Sequence, residues 1–382
     1  MKNVLALPRV LRLTALGLAL TALGTLGCVD APKAGDTSGT TLYVFDAASK
    51  SVKVWADVNT LYDAPTAVPA PGREISGSAI TNVATLGWGG MALDTSGNRL
   101  YLVSETGDVA RIEKARTANG ALSQFSDLAG FSLGNSSTDR FSSGSLFGQA
   151  SVGNNVLYVT EYSKDGLASR LWRVNDPGSV MPQTNVPRDS SVVTVPDAGD
   201  KNGTGVAAGQ GSDFFAFFGG GKSVFDTSGT TATDGPRMRY GNGTFTQMGN
   251  VVIGLNSKLG TSDVTTYGTM GFDRALQLLY VARQWPNSGE AAVMVFTQSQ
   301  FNQANANQAP SRVLPETVAT LPNLRFITHG GTKDWLVGGD RVGDAGTNIL
   351  RLWKTPSAGT ASVPVNLGAS VVLRGLALDG NN

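Results

Sequence analysis

Few residues in this 382-residue chain could do chemistry on their own, and the first is its only histidine, His329. A nucleophile–histidine–carboxylate triad could be built only around it, and a zinc site with several histidines is excluded. In register with the repeats described below, His329 falls near the end of an inner strand. Two other repeats carry Asp94 and Asp273 there, so the expected role is a local hydrogen bond in a turn. Calcium needs only oxygen ligands, and two stretches offer them: Asp197, Asp200 and Asn202 in Asp-Ala-Gly-Asp-Lys-Asn-Gly, and Asp340 and Asp344 with Asn348 in a glycine-rich turn. The first lacks the alternating acids and terminal Glu of an EF-hand. Both read first as Asx turns, with calcium the one cofactor that has any candidate ligands. Gly219-Gly220-Gly221-Lys222-Ser223 ends like a phosphate loop, but the earlier glycine is replaced by Ala216 inside an expected strand. Gly203, Gly205 and Gly209 have the wrong spacing for a dinucleotide loop.

The only cysteine, Cys28, closes a segment in which Lys2, Arg9 and Arg12 precede the uncharged run Leu13 to Gly27. That is the order of an export signal, and the apolar core is short of the roughly 20 residues a spanning helix needs. Gly27-Cys28 resembles a bacterial lipoprotein processing site, although Thr25 and Leu26 stand where that box has leucine and then a small residue. The resemblance implies a signal peptide over 1–27, a lipid on Cys28 and a membrane attachment. Residues 28–39 then form a small, polar tether. Val29 rather than aspartate after the cysteine implies sorting outward, to the outer membrane or cell surface. A lipidated Cys28 leaves no thiol for a disulfide, a nucleophile or a metal.

Removing the signal leaves 27 Lys plus Arg against 29 Asp plus Glu, about −2, with charged residues only 15% of the chain and no basic run. Nucleic-acid binding and polybasic membrane attachment have no support. The 48 glycines, beside 41% hydrophobic residues, suit many short strands joined by tight turns.

These candidates have to be positioned by a repeat. Tyr43, Tyr101, Tyr158, Phe215, Tyr280 and Trp335 recur at intervals of 58, 57, 57, 65 and 55 residues, a period that marks propellers or solenoids. The clearest copy runs Gly90 to Asp94, a turn at 95–98, Arg99 to Val103, a turn at 106–108, and Val109 to Ile112. Ser191–Val195, Thr317–Thr320 and Ser362–Val365 suit a fourth, outer strand, with Pro364 favouring an edge. Trp55, Trp172, Trp285 and Trp353 are expected to pack between repeats, and Gln298–Gln308 to form a polar loop or short helix. The tail, Arg374 to Asp379, is an orphan first strand, while Thr41–Asp46 and Ser51–Trp55 are second and third strands with no first. Joined in one blade they close a ring and remove its exposed edge. The expected fold is therefore all-β, a six-bladed β-propeller over 40–382 closed by its two ends.

Phrases such as Gly90-Met91-Ala92-Leu93-Asp94 followed by Leu100-Tyr101-Leu102 resemble six-bladed propellers of the broad NHL, YVTN and gluconolactonase-like kind. That blade grammar is shared by binders, scaffolds and enzymes. A lactonase of that kind implies Glu, Asn and Asp ligands around the axial channel, and a quinone-dependent sugar dehydrogenase implies a histidine base with cationic contacts; neither set maps here. The fourth repeat departs most, so residues 197–260 are expected to hold an insertion or functional loop. The functional expectation is a lipid-anchored envelope protein that binds a protein or polysaccharide partner without catalysis. The alternative is a calcium-dependent hydrolase or lactonase at the axial channel. Three or more converging carboxylate or amide oxygens at one mouth would mark the enzyme, and a lining of glycine, alanine and apolar residues the scaffold.

Overall fold

The computed structural model describes residues 37–85, 90–123, 126–134, 139–166, 168–188, 192–194, 203–218, 237–242, 267–284, 291–301, 310–315, 324–340 and 348–380. Among these, six sheets each start from an inner strand that pairs antiparallel with the next: Leu373–Asp379, Gly90–Asp94, Ser145–Gly153, Gly203–Ala208, Tyr267–Asp273 and Leu324–His329, in blades one to six. Neighbouring inner strands touch all the way round, blade six meeting blade one. The ring is a closed, six-bladed propeller.

Closure is the register expected from the ends. Thr41–Asp46 pairs with Ser51–Trp55 on one side and with Leu373–Asp379 on the other, Tyr43 opposite Ala377. Both ends of this seam are tied. Asp46 takes the Val372 and Ala48 amides and the Lys53 ammonium at 2.7 Å. At the far end the two oxygens of fully buried Asp379 accept from Nε and Nη2 of Arg116, at 2.6 and 3.2 Å.

The six recurring aromatics lie on the second strands, all fully or almost fully buried. Side chains alternate across a strand, and each strand is sandwiched between two neighbouring blades. Tyr43 therefore packs with Leu100 and Leu102 of blade two, whereas Leu42 and Val44 pack with Trp335 and Val337 of blade six. The other five aromatics repeat the move: Tyr101 faces blade three, Tyr158 blade four, Phe215 blade five, Tyr280 blade six and Trp335 blade one. One bolt per interface, each burying roughly 150–250 Å², explains why this position sets the period. Trp55, Trp172 and Trp353 are buried in the same interfaces; Trp285 lies outside the described residues.

Outer strands appear where expected at Val192–Thr194 and Val363–Asn366, with Pro364 on the edge. In blade five the outer strand is Arg312–Val313; residues 317–320 lie outside the described residues, as does most of 197–260. Two blades gain a fifth, parallel strand, Gly120–Ala121 and Asn185–Val186, which local pattern did not signal. Gln298–Phe301 is a short helix.

Candidate functional site: the axial well and a buried Asp–His pair

An inner strand has a sheet partner on one side only, so half of its amides and carbonyls face the axis and must be satisfied there. The strands come close enough to require bare backbone. A Cβ on Gly90 would lie 2.2 Å from the Ala150 nitrogen, and one on Gly205 2.5 Å from the Gly268 oxygen.

Bulges supply the missing partners. In blade three, Thr160 alone stands opposite the two residues Gly148 and Gln149, and such an extra residue re-aims a side chain. Gln149 thereby reaches the inner strands of three other blades. Its Oε1 accepts from the Val206 amide (3.1 Å) and the Met270 amide (2.8 Å), and its Nε2 donates to the carbonyls of Met270 (2.7 Å) and Ile327 (3.3 Å). Every donor and acceptor of the amide is used. A second bulge, between Gly203 and Gly205, turns the Thr204 hydroxyl onto Gly268, where it donates to the carbonyl and accepts from the amide. Ser151 Oγ takes the Ala208 amide.

Next to Gln149 lies a well of about 120 Å³ whose walls are mostly glycine, alanine and larger apolar residues, among them Met91, Leu93, Val152, Phe272 and Leu378. Arg274, the residue after the blade-five inner strand, reaches past blade four to donate from Nη2 to the Val152 carbonyl (3.0 Å). Burial lowers its pKa, opposed by the carboxylate of Asp94.

His329 is the last residue of its inner strand, as the register implies, and the fold sets it beside Asp273. Its ring stacks on Tyr280, with centroids 5.3 Å apart and an angle of 7°. The Gly331 amide donates to Nδ1 at 3.2 Å, which is the local turn bond expected. A lone pair at Nδ1 puts the proton of the neutral ring on Nε2, 3.6 Å from Asp273 Oδ2. Burial holds the imidazole neutral, its pKa pushed down to about 4 against the pull of Asp334, and burial raises the pKa of Asp273. Nε2 is buried and has no hydrogen-bond partner among the described residues.

Asp273, His329 and Asp334 bring ligand-type atoms within 4.8 Å of one another. Calcium would need six or more oxygens, and this set does not fit it. One Asp273 oxygen is held by the Ala275 and Leu276 amides, Asp334 is held by the Ser357 amide and hydroxyl, and the third member offers only nitrogen. Asp94 likewise caps its own hairpin through the Ser96 and Gly97 amides.

Cys28, Asp197, Asp200, Asn202 and Asp344 lie outside the described residues. Asp340 ends a blade-six strand, its backbone opposite Leu324. Gln149 and Arg274 were not singled out from sequence. A glycine beside a polar residue within an apolar strand, Gly148-Gln149, was the available signal for a bulge.

No protein-family profile and no curated protein matches the chain. Similar solved structures include the β-propeller domain of Myceliophteria thermophila Cps50 (Swd1), 10% identical, with a TM-score of 0.43 over 87% of this chain and 88% of that one. Kuenenia stuttgartiensis hydrazine synthase is 10% identical, with a TM-score of 0.43 over 88% and 80%. The dihydro-heme d1 dehydrogenase NirN is 9% identical, with a TM-score of 0.40 over 88% and 66%. The propeller rests on the strand pairing above, and these distant likenesses add nothing about chemistry.

Proposed function

We propose that this chain is an exported, lipid-anchored propeller of the bacterial cell envelope that binds an envelope protein or polysaccharide and carries out no catalysis of its own. The observation that carries the reading is the state of the axial site. Most of the residues that line it are glycine, alanine or larger apolar types, and the Gln149 amide, the Ser151 hydroxyl and one Asp273 oxygen are engaged with the protein's own backbone. A calcium-dependent hydrolase at the channel would need converging oxygens, whereas Asp94, Asp273 and Asp379 are each committed to a turn or to Arg116. The anchor is supported by the Gly27-Cys28 sequence. The Thr37 carbonyl accepts from Asn59 and Trp335, and the Thr40 carbonyl from the Val58 amide, at the ring end that carries the first-to-second-strand hairpins. The opposite end, where second strands turn into third strands and Phe218 and Arg237 stand as a paired strand end, is left to present to a partner.

The test is affinity capture of the tagged chain from detergent-solubilised envelope, with palmitate labelling of wild type and Cys28→Ala. Cys28-dependent labelling and a stoichiometric partner are expected. Recovery as a lone monomer with calcium-dependent esterase activity would overturn the reading.

A further inference from the structure

The residues that line the axial well are mostly apolar by type, but the surface they show to it is more polar than apolar, because they meet it largely with backbone. Along an antiparallel strand, residues that bond to the partner strand alternate with residues whose N–H and C=O point the other way. Val206, Met270 and Ile327 point at the axis, since their backbone groups meet Gln149. Two residues further on, Ala208, Phe272 and His329 point there as well, and the Ala208 amide ends on Ser151. Val152 belongs to the same level, its carbonyl accepting from Arg274. Leu93 and Leu378 complete it, since each stands opposite the residue before a recurring tyrosine, as Phe272 does. All six line the well, and the inner strands of neighbouring blades do not pair with one another. A ring of peptide donors and acceptors therefore opens onto it.

Beside that ring stands one cation. Arg274 is the only lining residue charged at neutral pH, His329 being held neutral. Its guanidinium spends one N–H on the Val152 carbonyl and makes no other side-chain hydrogen bond among the described residues. Asp94 is not its ion-pair partner: one oxygen caps the hairpin, and the other lies 3.8 Å from Arg99. A guanidinium presents its donors as a planar fork that matches the oxygens of an oxyanion. Thr95, Gly331 and Thr332 are only half-buried, so solvent can enter. The well measures about 120 Å³, which at ~30 Å³ per water is about four water-sized groups. That admits one tetrahedral oxyanion and excludes an organic chain.

We propose that the well binds one compact oxyanion that still carries a proton, as inorganic phosphate does near neutral pH, with its charged oxygens on the remaining N–H groups of Arg274 and its O–H on a carbonyl of the ring. The guanidinium selects against a metal ion. The carbonyls select for the proton: a fully deprotonated anion would set lone pair against lone pair, and a site that hydrogen-bonds a hydroxyl rejects the analogue that lacks it.

The experiment is calorimetric titration of the full mature chain with phosphate near pH 6, at an ionic strength fixed with sodium chloride. Sulfate, which has the same shape and no proton, is the second arm, and replacement of sodium by potassium the third. Saturable phosphate binding is expected, roughly tenfold or more tighter than sulfate, with no response to potassium. Arg274→Gln should weaken phosphate about tenfold or more, and Arg274→Lys should weaken it less. Because Arg274 also ties blade five to blade three, each variant is also read by the rise in its melting temperature with phosphate over its own phosphate-free value. Thr95→Trp serves as a second variant. Thr95 is half-buried at the well and makes no side-chain hydrogen bond among the described residues, and the indole should close the mouth and abolish the phosphate-induced rise. Absence of saturable phosphate binding, equal affinity for sulfate, a response to potassium in place of phosphate, or phosphate affinity unchanged in Arg274→Gln and Thr95→Trp would each overturn the assignment.

Discussion

Gln149→Ala isolates the cross-bridge at the axis. The substitution removes four hydrogen bonds and leaves the Val206 and Met270 amides and the Met270 and Ile327 carbonyls without their partner. A hydrogen bond contributes about 1 kcal/mol net, and a buried group left unpaired costs about 1–3 kcal/mol. Gln149 is half-buried beside the well, so water can replace part of what is lost. The lower end of the range applies, about 3–5 kcal/mol in total. With roughly 2 cal/mol/K of unfolding entropy per residue, that corresponds to a fall of about 4–7 °C in a propeller of this size. Gln149→Glu sharpens the test. A carboxylate keeps both amides as donors but faces two carbonyls with no proton to offer, so its folded pKa rises. A raised acid pKa means stability that is present at low pH and lost as pH rises through that pKa. This variant should therefore recover toward wild type on acidification, whereas Gln149→Ala should not. Scanning calorimetry from pH 4 to 8 reads both effects. A Gln149→Ala protein melting within 1 °C of wild type, or a Gln149→Glu protein with no such recovery, would refute the claim that this amide ties the inner strands together.

Further outcomes follow from the same geometry. Arg116→Ala removes the Nε and Nη2 bonds to the Asp379 carboxylate at the closing seam and should cost about 2–3 kcal/mol in urea unfolding, with Asp379→Asn milder; no change in either would detach the seam from stability. The histidine gives a pH signature: its folded pKa of about 4 lies below the ordinary 6.5, so its stability term is present above pH 6.5 and is lost progressively between pH 6.5 and 4. It amounts to about 3 kcal/mol at the acid end. Asp273, raised by burial, acts oppositely, gaining stability as pH falls, so the comparison is with His329→Gln, which should flatten the loss; an unchanged profile would contradict the buried neutral ring. Asp46 works at lower pH. Burial would raise its pKa, but Lys53, the Val372 amide and Ser49 together hold it below 3.8. Asp46→Asn should remove an acid-unfolding component confined to pH below about 4, read from circular dichroism.

The repeating features of this molecule were legible because they are local. One aromatic bolts each blade to the next, so selection for that contact writes a period into the chain, and Gly90–Asp94 and Arg99–Val103 were bounded correctly by turn chemistry alone. The closing blade was legible for a related reason, since an orphan first strand and a blade lacking one are complementary. The strand-end position of His329, equivalent to Asp94 and Asp273 in their repeats, was legible from register. The axial chemistry was hidden because it is long-range and depends on irregularity. Gln149 bonds residues 57, 121 and 178 positions away, and it points there only because a bulge breaks the alternation that sequence patterning assumes. Arg274 reads as an ordinary turn residue after Asp273, and only the ring's curvature brings the blade-three carbonyl within its reach.

The account depends most on the last strand, Leu373–Asp379, being an integral part of the first blade. Native-state hydrogen exchange measures this without mutation, through the alternate amides of that strand that point at Thr41–Asp46. A closed ring predicts that they exchange only with global unfolding, at the same free energy as amides of Ser51–Trp55 in the same sheet. Exchange of the tail at a markedly lower free energy, while Ser51–Trp55 stays protected, would contradict it.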